Sequence, residues 1–538
     1  MAGSPAIDVF ESRRSTVYGT RGVVSTSQPL AAQAGIQALR DGGNAFDAAV
    51  TTAATLAVVE PHMTGIGGDV FALYRTADGD VGGMQSGGPA PQSVSLEELR
   101  STISAESDDG SVEIGSQSPH AVTVPGTVRG WDALLERFGR RTLSPALEPA
   151  IEYATDGYPV SEIIASDWAA NADTLDERAR ETYLIDGRPP RAGEFVTLPE
   201  LGESLKRIAT DGADVFYEGE IADEIVRTIR DLGGFLSAKD LAEFEPRFVD
   251  PVSTTYGDAT VYELPPHNQG LLAIEALNVA DELDVDAHSP NSPERVHGLV
   301  ESMKVAFRDG HHYVTDPDFE EIPPLDSKAY AARRADAIGD SATENPSIGT
   351  PNPETEDADT VLLTVADKAG NVVSFINSVF ASFGSGIAAG DTGILLQNRG
   401  RSFSLDPSDP NRFEPGKQPF HTLIPGLVRR DTDDWTAFGV MGGFMQPQGH
   451  LQVLSHLLDS DDSLQRACDR PRWRYREDGT LSVESRMDHT LVDALLDRGH
   501  DVRVERLSAF GGAQIARWND GVLSGASDPR KDGTTIGF

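Results

Sequence analysis

The sequence predicts an α+β fold, and three stretches carry that expectation. A β-hairpin is written into residues 361–380: an apolar, β-branched run over 361–366, a turn with Gly370 over 367–371, and a return strand over 372–380. Helical patterns occupy 29–40 and 44–59 near the start and dominate 145–244. A polar, Pro-rich connector over 341–357 precedes the hairpin, so Thr360 opens a strand just past a cuttable segment. A Thr freed there would carry a hydroxyl and an α-amine on one residue, a nucleophile with its own base.

Length and charge bound the rest. A chain of 538 residues is long enough for two or three conventional domains, or for one large layered one with a sizeable core. The net charge of −40 argues against a nucleic-acid partner and against an anionic membrane surface. Only seven lysines occur, and Arg supplies the other positive charge. Acid-rich, Lys-poor surfaces suit concentrated salt, where screening weakens self-repulsion, so the composition predicts a halophilic protein, with an ordinary acidic enzyme as the alternative. Cys468 is the single cysteine, which excludes an intramolecular disulfide and a Cys-based metal site. The first residues lack an apolar signal core, the Arg13-Arg14 pair is followed by polar residues, and no run reaches the ~18 apolar residues of a membrane span. The expectation is a cytoplasmic protein without a membrane partner.

Taken in order, residues 23–27 predict a buried strand and Pro29 opens a helix to Arg40. Asn44 caps the next helix with Asp47 at its third position, and the Ala-rich run stops at Pro61. The loop Thr64-Gly65-Ile66-Gly67-Gly68 leads into a strand over 70–74. A dinucleotide fingerprint needs strand before loop and helix after, and here the order is reversed, so the loop reads as close backbone packing. Residues 122–128 lead into a helix over 129–138, a loop over 264–270 opens one over 271–283, and 293–309 is amphipathic. His297 in that helix and the adjacent His311-His312 pair read as packed or solvated residues rather than metal ligands. Residues 393–400 predict a buried strand running into a polar loop, and His421-Thr422 lies between two Pro turns. A strand over 435–440, a loop over 441–449 and a helix over 450–459 follow. No zinc, calcium, P-loop or serine-elbow motif is present, so neither metal nor cofactor is expected. By residue type alone, Thr360 suits any strand and Gly442-Gly443 any turn.

The surrounding segments give these residues a context. Ser27-Gln28-Pro29-Leu30-Ala31, Gly42-Gly43-Asn44-Ala45, the 64–68 loop, Val124-Pro125-Gly126, 301–307 with Asp316-Pro317-Asp318, 367–371, Phe383-Gly384-Ser385-Gly386, 393–396 and Gly442-Gly443 occur in that order. Over nearly its whole length the chain resembles the gamma-glutamyltransferase family of N-terminal nucleophile hydrolases. The resemblance implies a four-layer αββα sandwich, made as one precursor that cuts itself between Asp359 and Thr360. Residues 1–359 would form the large piece and 360–538 the small one. Thr360 would be the nucleophile, Ser378 the hydroxyl that holds it in attack geometry, and the amides of Gly442-Gly443 the oxyanion donors.

The head-group positions depart from the family. Its carboxylate-binding Arg falls on Gly87, its paired serines on His421-Thr422, its amine-gripping acid on Ser402, and the neighbouring amide or acid on Arg399. The sequence over 397–400 with 421–425 looks like the acylase and amidohydrolase branch, some of whose members act on small amides such as oxamate. Arg399 would pair a substrate carboxylate there, or stand as an exposed structural Arg. The expectation is a self-processing Thr-nucleophile amidohydrolase with a small-molecule amide substrate. Its rivals are a true glutathione hydrolase with a changed head-group site, and an uncut binding protein on the same fold.

Overall fold

The computed structural model describes residues 14–107, 112–343, 360–460, 462–476 and 478–538. Residues 344–357 of the connector and Asp359 of the expected cut lie outside them. Two seven-stranded antiparallel sheets face each other. The first runs Thr534–Gly537, Gly22–Thr26, Val361–Asp367, Val372–Ser378, Asp69–Arg75, Val81–Ser86, Arg247–Val249. The second runs Val17–Gly19, Val522–Ser527, Gly512–Asn519, Asp434–Met441, Gly426–Asp431, Ala259–Glu263, Val252–Tyr256. Both strands of the hairpin are buried along their full length, as a strand covered on both faces must be. The return strand ends at Ser378 rather than at residue 380, because Phe380 takes φ +78°.

Helices cover the outer faces. Pro29–Arg40 and Ala45–Val59 lie on the first sheet, and Gly270–Glu282 with Met445–Leu458 on the second. The four αββα layers implied by the resemblance are therefore present. Ala45–Val59 shows how local chemistry sets an element. The Asn44 side chain accepts from the Asp47 amide while the Asp47 carboxylate accepts from the Asn44 amide, closing a capping box. Every residue of this helix is buried, and its alanines let it pack between the sheet and the helix Leu143–Asp156.

Two expected elements differ. Residues 393–400 form no strand. Gly393 turns the chain at φ +68°, Leu395 and Leu396 make isolated bridges to Ala388 and Gly67, and Arg399–Ser402 closes as a short 3-10 turn. The helix expected over 450–459 begins earlier, as Met445–Leu458. Pro447 lies in its first turn, where a missing N–H breaks no helical bond. Cys468, the single cysteine, is buried. Among the described residues no helix is long and apolar enough to cross a membrane.

Candidate active site

Strand register assembles the site. Val361 pairs with Asn377, Ser378 with Asp69, and Val70 with Ser86. Extending each antiparallel register by one residue aligns Thr360, Ser378, Asp69 and Gly87 in one rank across four adjacent strand ends, on a single face. Ser374, on the same face as Ser378, donates to the Phe438 carbonyl of the second sheet at 2.9 Å, so the rank looks into the space between the sheets. Leu362 packs under Gly439, where a Cβ would lie 2.9 Å from its methyl groups. Thr360 lies two residues before Leu362, on the same face of its strand, and the Asp434–Met441 strand of the facing sheet runs directly into Gly442-Gly443.

Thr360 and Ser378 are fully buried, and their hydroxyl oxygens lie 3.3 Å apart. The Ser378 Oγ also accepts the Phe380 amide at 2.8 Å. Phe380 is held at φ +78°, a conformation costly for a bulky residue and characteristic of sites where surrounding structure imposes it. Gly442 and Gly443 take φ of +118° and +55°, backbone that glycine adopts readily. Their carbonyls accept the amides of Met445 and Gln446 at 2.9 and 3.1 Å, which starts the following helix. The Gln269 side-chain amide donates to both Gly443 O and Thr422 O at 2.8 Å, tying the glycine turn to the His421-Thr422 segment.

The far end of the rank is an ionic cluster with no exposed member. Asp69 Oδ2 accepts Arg399 Nε at 3.4 Å and His421 Nε2 at 3.2 Å. Arg399 Nη1 donates to Thr422 Oγ1 at 2.9 Å, and its guanidinium lies 4.2 Å from the Phe380 ring centroid. His421 Nδ1 accepts the Leu423 amide at 3.2 Å, which leaves the imidazole proton on Nε2 to donate to Asp69. Burial, the Arg399 charge and His267 drive the His421 pKa well below its ordinary value, so the ring is neutral. Burial raises Asp69 to about 6 against the pull of Arg399. It lowers Arg399 to about 10 against the pull of Asp69, so the guanidinium stays charged at neutral pH.

The alternative of an exposed Arg399 is thereby corrected, since this side chain is fully buried. A Cβ on Gly87 would lie 3.0 Å from His421 Nε2 and 3.1 Å from the Phe71 ring, so the imidazole fills the space a side chain at 87 would enter. Ser402, half-exposed at the end of the 3-10 turn, has its carbonyl held by Asn411 Nδ2 at 2.6 Å and stands outside the buried cluster. Asp69 was the residue sequence reasoning missed. Its signal was an acid directly before the apolar run over 70–74, just past the 64–68 loop read only as close packing. Elsewhere, on the outer-helix layer, His297, Glu301 and His500 are buried together. There His297 Nδ1 lies 2.9 Å from His500 Nε2, and Glu301 pairs with Lys304 at 2.7 Å.

A buried threonine hydroxyl at a strand head, on the inner face of two packed antiparallel sheets, is an arrangement that suits the fold of N-terminal nucleophile hydrolases. The gamma-glutamyltranspeptidase family profile matches residues 31–538. The glutathione hydrolase-like YwrD proenzyme of Bacillus subtilis is 37% identical, with 97% of this chain and 99% of that protein covered. The oxamate amidohydrolase proenzyme of Klebsiella pneumoniae is 36% identical, with 97% and 100% covered. The crystal structure of cephalosporin acylase from Bacillus halodurans superposes with a TM-score of 0.90 at 39% identity, covering 100% of this chain and 99% of that one. The chain belongs to the gamma-glutamyltranspeptidase family and is an enzyme of that family.

Proposed function

We propose that the protein is a self-processing Thr-nucleophile amidohydrolase that cleaves a small amide whose acyl group carries a carboxylate. The Thr360–Ser378 contact at the head of the central hairpin is the observation that carries this reading. In processing, the Thr360 hydroxyl adds to the Asp359 carbonyl carbon and its proton passes to the departing Thr360 nitrogen. Water then hydrolyses the resulting ester. The products are a large piece, 1–359, and a small piece, 360–538, that begins with a free α-amine. That amine, with a pKa near ~8, takes the hydroxyl proton in each turnover. Thr360 Oγ attacks the substrate carbonyl, the oxyanion faces the Gly442-Gly443 amides, and the departing amine receives the proton. Water resolves the acyl-enzyme. Ser378 acts as a positioning residue for the Thr360 hydroxyl.

For the head group, the buried Arg399 supports recognition of a carboxylate, and the His421 ring against Gly87 speaks against the family's glutamyl mode. Amidohydrolase and acylase relatives of similar length favour the same branch. Glutathione hydrolysis is the second reading, favoured by the 30% identical glutathione hydrolase proenzyme of Escherichia coli. Steady-state turnover of half-amides of short dicarboxylic acids, beside glutathione, separates the two. The expected kcat/KM for the best half-amide exceeds that for glutathione by on the order of 10²-fold or more. Equal or better use of glutathione contradicts the proposal.

A further inference from the structure

Asp69 is the member of the Thr360–Ser378–Asp69–Gly87 rank that the reaction above leaves unused. A carboxylate at this depth is tolerated only with fixed partners, and two side chains, Arg399 and His421, bind it through the same oxygen. Arg399 commits Nε to Asp69 and Nη1 to Thr422 and lays its face on Phe380. Its remaining nitrogen, Nη2, is buried and has no hydrogen-bond partner among the described residues. A buried guanidinium nitrogen left unpaired is unfavourable, and an anionic oxygen is the partner that satisfies it best. With Nε and Nη1 both held, the guanidinium cannot rotate away from that orientation.

We propose that Asp69 is the specificity-determining residue of this enzyme: it fixes Arg399 and His421 so that Arg399 Nη2 is aimed at the carboxylate of the acyl group. The inference rests on the head-group reading given above and adds to it the residue that enforces the preference. Asp69 acts through Arg399 and is a positioning residue. Its charge also gives the preference a pH dependence. The ionisable groups around it are Arg399, His421, His267 and Tyr217. Burial keeps both histidines neutral, with His267 held down to about 3, and Tyr217 is raised by burial, so Asp69, at about 6, is the member that changes charge in mildly acidic solution. Protonation there removes the anchor of Arg399.

The test uses the wild-type enzyme and Asp69→Asn with two substrates: the half-amide of a short dicarboxylic acid and an uncharged amide of equal chain length. The readout is the ratio of their kcat/KM values, measured from about pH 5 to about pH 8, in which titration of the Thr360 amine cancels. The expected wild-type ratio falls on the order of tenfold as pH drops through the range where Asp69 protonates, and Asp69→Asn is low and flat, with the loss in KM rather than kcat. A variant that keeps both the ratio and its pH dependence overturns the role of Asp69 while leaving the head-group reading intact. A wild type with no preference for the charged amide at any pH removes both. If Asp69→Asn does not fold or process, the wild-type profile decides alone, and a flat ratio overturns the proposal.

Discussion

At the scale of single residues, burial rather than local sequence sets the chemistry. Glu60 illustrates it. It terminates the helix Ala45–Val59, is 1% exposed, and accepts the Ser27 hydroxyl at 2.8 Å. Burial raises its pKa from 4.5 to about 7, against the opposing pull of the Ser27 hydrogen bond and Lys531. A carboxyl whose folded pKa lies above its unfolded one binds a proton more tightly when folded. The stability it contributes is therefore complete below about 4.5 and is lost as pH rises through about 7. Glu60→Gln keeps the neutral shape and removes the titration. Relative to this variant, wild type should lose on the order of 3 kcal/mol between the two limits, seen as a widening gap in thermal midpoint from about pH 5 to about pH 8. A gap that does not change with pH contradicts the assignment. Asp69 is another buried acid of this kind, and the sequence offered no means of pairing it with Arg399 and His421, which lie more than 300 positions away. Their meeting depends on register, which no single stretch encodes.

At the scale of elements, locally encoded features were legible and those set by tertiary contacts were not. Pro29, the Asn44–Asp47 box and the Gly370 turn each act within four residues, and the elements they bound fall where expected. Residues 393–400 carry a strand-like apolar run, but the turns at Gly390 and Gly393 leave them with isolated bridges instead of a ladder. The helix Met445–Leu458 hid behind Pro447 and Gly449, residues that usually mark a loop. Its early start sharpens the turn at Gly442-Gly443, which passes directly from strand into helix. A Cβ on Gly442 would sit 3.3 Å from Gly511 Cα, and φ there is +118°. Gly442→Ala should therefore displace the turn, and in the proposed reaction, where its amides hold the oxyanion, this lowers kcat by about tenfold or more while KM changes less. Steady-state kinetics with circular dichroism as a folding control check this. Unchanged kcat in a folded variant would remove the turn from catalysis.

At the scale of the molecule, each sheet mixes strands from both sides of Thr360. In the first, strands Val361–Asp367 and Val372–Ser378 lie between Gly22–Thr26 and Asp69–Arg75; in the second, Ala259–Glu263 joins Gly426–Asp431. Neither seven-stranded sheet lies within one proposed piece, so a cut before Thr360 would leave two polypeptides sharing one hydrophobic core. The layered architecture was legible only through the family's ordered motifs. The strand order was not, because Val17–Gly19 and Thr534–Gly537 reach across the whole chain to pair with Val522–Ser527 and Gly22–Thr26. The most direct test of the central claim is intact mass with N-terminal sequencing of the purified protein and of Thr360→Ala. The account predicts two co-purifying polypeptides for wild type, the smaller beginning at Thr360, and one uncut, inactive chain for the variant. A wild type that remains a single chain, or a variant that is still cut at Asp359, would contradict it.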